Sequence, residues 1–105
     1  MPDRLLEALD RLIAFLELHE NPAWPAVLRS LRSQAESVDP SDQTSWRDYY
    51  NQFGRLFGGM GSLDDLTICQ VNGHRVDDEI EANSLLQELV STLRLEYQSA
   101  RWRTR

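Results

Sequence analysis

Phe57-Gly58-Gly59-Met60-Gly61-Ser62-Leu63-Asp64-Asp65-Leu66, running on into Thr67-Ile68-Cys69-Gln70-Val71-Asn72-Gly73-His74-Arg75-Val76, is the stretch on which the fold class turns. Three glycines in four positions are costly to order, because glycine loses the most backbone freedom on folding. Such a run is expected where the backbone needs positive φ or where another group approaches closely. After it, Leu66–Val71 reads as a strand, Asn72-Gly73 as a two-residue type I′ turn and His74–Val76 as the return strand. A two-stranded hairpin is marginal alone and needs helices to lie on. The predicted class is therefore mainly α (α+β): about four helices with one β-hairpin, over 66–76, between the third and fourth.

Working outward, the apolar residues take the helical period. Leu5, Leu6, Leu9, Leu12, Ile13 and Leu16 recur at three- and four-residue steps, predicting an amphipathic helix over 3–19, with Phe15 widening the face. Asp3 is its expected N-cap, Glu7 and Arg11 form an i,i+4 pair, and His19 falls in the last turn. Asn21-Pro22 stops this helix and starts a second over 22–37, with Trp24, Val27, Leu28, Leu31 and Ala35 on one side. So short a connection predicts antiparallel neighbours.

A polar loop, Val38 to Ser45, precedes a third helix over 45–57 capped by Ser45 or Thr44. Its apolar face is almost wholly aromatic: Trp46, Tyr49, Tyr50, Phe53 and Phe57 are five of the nine aromatics in the chain. Core packing is the favoured reading; the alternative is that Trp46, Tyr49 or Tyr50 protrudes and anchors a partner. Gly54 inside this helix costs about 1 kcal/mol against alanine, so another element is expected to pack close there. Asp77 or Asp78 caps a final helix over 78–100, with Glu79 and Glu81 suited to its first turn. Its expected stripe is Ala82, Leu85, Leu86, Leu89, Val90, Leu93 and Tyr97. The tail holding Trp102 is expected to fray or to bind something.

With 105 residues the chain is expected to be one domain, 1–105. No apolar run reaches the ~18 residues of a bilayer span, and no secretory signal is visible. A lone cysteine, Cys69, makes no internal disulfide, so a reducing cytoplasm is the expected compartment. Residues 1–96 hold all 17 acids against eight arginines, a net −9, while 97–105 hold three arginines and no acid. So negative a body repels phosphate backbones and anionic lipid surfaces, which argues against nucleic acid and membrane and for a basic partner.

No catalytic constellation assembles from the sequence. The only histidines, His19 and His74, sit in no nucleophile elbow. Cys69, placed mid-strand, reads as a buried structural thiol. No metal spacing occurs, so neither metal nor cofactor is expected. The glycine run lacks the Lys-Ser/Thr of a phosphate loop and is followed by acids. Asp64 and Asp65 with Asp77 and Asp78 bracket the expected hairpin and would converge at its open end.

The segment Phe57 to Leu66 resembles the signature of a family of small uncharacterised bacterial proteins. In that family a helix ending in aromatics runs into Gly-Gly-Met-Gly-Ser-Phe/Leu-Asn-Asp-Leu, followed by a hairpin and a helix. The likeness extends over Trp46 to Tyr97, with Asp64 in place of the expected asparagine. Members resemble immunity proteins encoded beside polymorphic or contact-dependent toxins. The resemblance implies structural roles for Gly58, Gly59, Gly61 and Asp65 and carries no catalytic assignment. The expected function is accordingly non-enzymatic: a small acidic cytoplasmic protein that binds and neutralises a cognate toxin with a basic surface. Asp64, Asp65, Asp77 and Asp78 would surround an anchor from Tyr49, Tyr50 or Trp102. The competing classes are a ligand-binding or enzymatic domain using the Gly58–Asp65 loop, and a secretion chaperone or adaptor.

Overall fold

The computed structural model describes residues 3–39, 41–57, 63, 66 and 77–103, with side chains through Ala100. Its regular elements are four helices, α1 (Asp3–Leu18), α2 (Trp24–Ser37), α3 (Gln43–Gly54) and α4 (Glu79–Arg103). The expected α+β class is corrected: 81% of the described residues are helical, and none lies in a strand or sheet, so the fold is all-α. Of the expected hairpin positions only Leu66 is described. Its N–H donates to the Leu63 carbonyl at 3.3 Å, an i→i−3 turn bond and not a ladder bond. Residues 67–76 lie outside the described residues. The hairpin reading rested on local turn chemistry, whereas the core is built by helices packing on helices.

α1 is the central element and packs on both α2 and α4. Two neighbours explain why its buried arc is wide: Leu5, Ala8, Leu9, Leu12, Ile13, Phe15 and Leu16 are all buried. Asp3 lies in its first turn and not ahead of it. The helix ends in a Schellman closure. Glu20 N–H donates to Glu17 O at 3.0 Å and Asn21 N–H to Leu16 O at 2.9 Å, with Glu20 at φ 54°. That left-handed position ordinarily favours glycine, and nothing in the sequence flags it.

Asn21 then turns the chain. Its Oδ1 accepts from Ala23 N–H at 3.2 Å and Trp24 N–H at 2.8 Å, so it caps α2 as expected while the helix proper begins at Trp24, not at 22. Leu28, Leu31 and Ala35 are buried as predicted, but Val27 is 46% exposed. Glu17 pairs with Arg29 and Asp10 with Arg32, so rising numbers on α1 meet falling numbers on α2. The first two helices are antiparallel.

α3 starts two residues before its expected position because Asp42, not Ser45 or Thr44, is the cap: Asp42 Oδ1 accepts from Thr44 N–H at 3.0 Å. It also ends earlier, at Gly54. Arg55, Leu56 and Phe57 then bond to Gln52, Phe53 and Gly54 in i→i−3 turns. Leu63 is 1% exposed and donates its N–H to Leu56 O at 2.8 Å, so the chain returns to the core just after the glycine run. α4 is capped by Asp78, whose Oδ1 accepts from Glu81 N–H at 3.0 Å. It buries Ala82, Leu86, Val90, Leu93 and Ala100, whereas Leu85, expected inside, is 44% exposed.

Candidate functional site

The aromatic face of α3 is spent on packing. Tyr49 and Tyr50 are 5% and 8% exposed, so neither projects as an anchor from the described surface. The Tyr49 hydroxyl donates to Leu31 O at 2.9 Å, tying α3 to α2. Burial pushes its pKa up to about 12, with Arg32 pulling weakly the other way. Tyr50 and Tyr97 stack at 4.1 Å between ring centroids. Each donates its hydroxyl to the other's backbone carbonyl, at 2.8 Å from Tyr50 and 3.0 Å from Tyr97. Phe53 stacks on Tyr97 at 5.3 Å, and Arg94 lies over the Phe57 ring at 5.2 Å from its centroid. These contacts join α3 to α4. The indole N–H of Trp46 is buried with no acceptor among the described residues.

Among the predicted site residues, Asp77 and Asp78 are the two whose side chains lie on the described surface, and both are exposed. They stand at the start of α4 beside Glu79 and Glu81, which are exposed in its first turn. Asp78 is committed as the cap. Ile80 sits among these four acids at 86% exposure, the highest of the large exposed hydrophobics. No basic residue occurs between Asp77 and Leu93. The sequence reading left Ile80 out; its signal is an isoleucine off the Ala82–Leu86–Val90–Leu93 period and flanked by carboxylates. Gly58, Gly59, Gly61, Asp64 and Asp65 lie outside the described residues, as does the Trp102 side chain.

Two grooves also mark the described surface. An open one of about 410 Å³ is lined by Asp3, Leu6, Glu7, Asp10, Arg11 and Arg32. Its acids are largely met from the same wall, Glu7 by Arg11 at 2.8 Å and Asp10 by Arg32 at 3.1 Å. A smaller one of about 190 Å³ is lined by Leu63, Leu66, Leu86, Gln87, Val90 and Ser91. Among the described residues, no three His, Cys, Asp or Glu side chains are grouped to hold a metal ion, and no helix is long and apolar enough to cross a membrane.

No curated protein and no solved structure matches the chain. Residues 17–77, from the last turn of α1 to the start of the α4 acidic end, match the family described as Domain of unknown function (DUF6966). That match takes in α2, α3 and the glycine segment and covers more than half of the sequence, and the chain belongs to this family.

Proposed function

We propose that this chain is an immunity-type binding protein that holds a basic toxin or effector at the acidic end of α4. The observation that carries the reading is Ile80, 86% exposed and set among Asp77, Asp78, Glu79 and Glu81. A single exposed aliphatic residue is ordinary on a protein surface. An aliphatic centre inside a rim of one charge sign, with no basic residue for the next turns of helix, has the anatomy of an interface. A basic cleft of the kind that grips nucleic acid or nucleotides would meet this rim, and the rim would steer the encounter.

The roles separate kinetically. Rim charges set association and its salt dependence, while a buried centre sets dissociation. The test is co-purification with the product of the adjacent gene, followed by binding kinetics at low and high salt. Asp77→Asn with Glu81→Gln is expected to slow association and flatten its salt dependence. Ile80→Ala is expected to speed dissociation about tenfold, equivalent to ~1.4 kcal/mol. Absence of a complex at micromolar concentration, or binding that tightens with salt, overturns the reading.

A further inference from the structure

We draw no further inference here: the strongest candidate, the exposed apolar surface about the α1–α2 turn, where Leu18 is 71% and Val27 46% exposed and Pro22 and Ala26 are exposed as well, carries nothing because nothing in the structure shows what covers it.

Discussion

Gly54 is glycine because the Tyr97 hydroxyl occupies the space a side chain would take. A Cβ built there would collide with that hydroxyl and lie 3.2 Å from ring carbon Cζ. The far end of a tyrosine can usually swing aside, but this one is held by Tyr50 and stacked on Phe53. Two effects oppose each other in Gly54→Ala. Helix propensity gains about 1 kcal/mol. Overpacking costs about 1–3 kcal/mol, and a lost Tyr97–Tyr50 hydrogen bond about 1 more. A net loss of ~1–2 kcal/mol is expected by denaturant unfolding. In a Tyr97→Phe background the colliding atom is gone, so the same substitution is expected to be neutral or stabilising. Close packing at Gly54 was legible in the sequence, since a glycine inside a helix needs a reason; that the reason is Tyr97, 43 positions on, was not.

At the scale of elements, caps and connections set where each helix begins and ends. The loop before α3 offers Asp39, Ser41, Asp42, Thr44 and Ser45, any of which has cap chemistry. Asp39 is taken by Ser41, whose hydroxyl and N–H both donate to it and hold its carboxyl below the usual range. Asp42 is left to cap, with Trp46 N–H closing on its carbonyl at 3.1 Å. Asp42→Ala is therefore expected to cost about 1 kcal/mol, while Ser45→Ala stays within about 0.5 kcal/mol. Thermal unfolding of the two variants side by side checks this, and equal losses would restore the expected start at 45. The Asn21 cap was readable because it stands alone ahead of a clear apolar period, and the α4 cap was readable to within one residue, Asp77 or Asp78. The α3 cap was not, because several competent residues crowd one loop.

For the whole molecule, α1 carries the arrangement, since both α2 and α4 pack on it. Leu9, Leu12 and Leu16 of this helix are each 0% exposed. Leu12→Ala is expected to cost about 2–5 kcal/mol, which would consume much of the ~5–15 kcal/mol typical of a domain. Leu18→Ala, at 71% exposure in the same helix, is the control and is expected to change stability little. Comparable losses in the two would show that α1 is not the centre of the core.

By itself the sequence determined the four helices, the antiparallel turn at Asn21-Pro22 and most of the buried stripe on each helix. Each follows from local period and capping, which depend on neighbours three or four residues away. Only the tertiary structure decided that Leu85 and Val27 face outward while Ala8 and Ala100 are buried, because an arc's width depends on how many helices touch it. It also decided that the aromatic face of α3 closes onto α4 and α2 instead of waiting for a partner. The Asn72-Gly73 signal misled on fold class for the same physical reason: turn chemistry states what a segment can do locally, while the class depends on what the core is packed from.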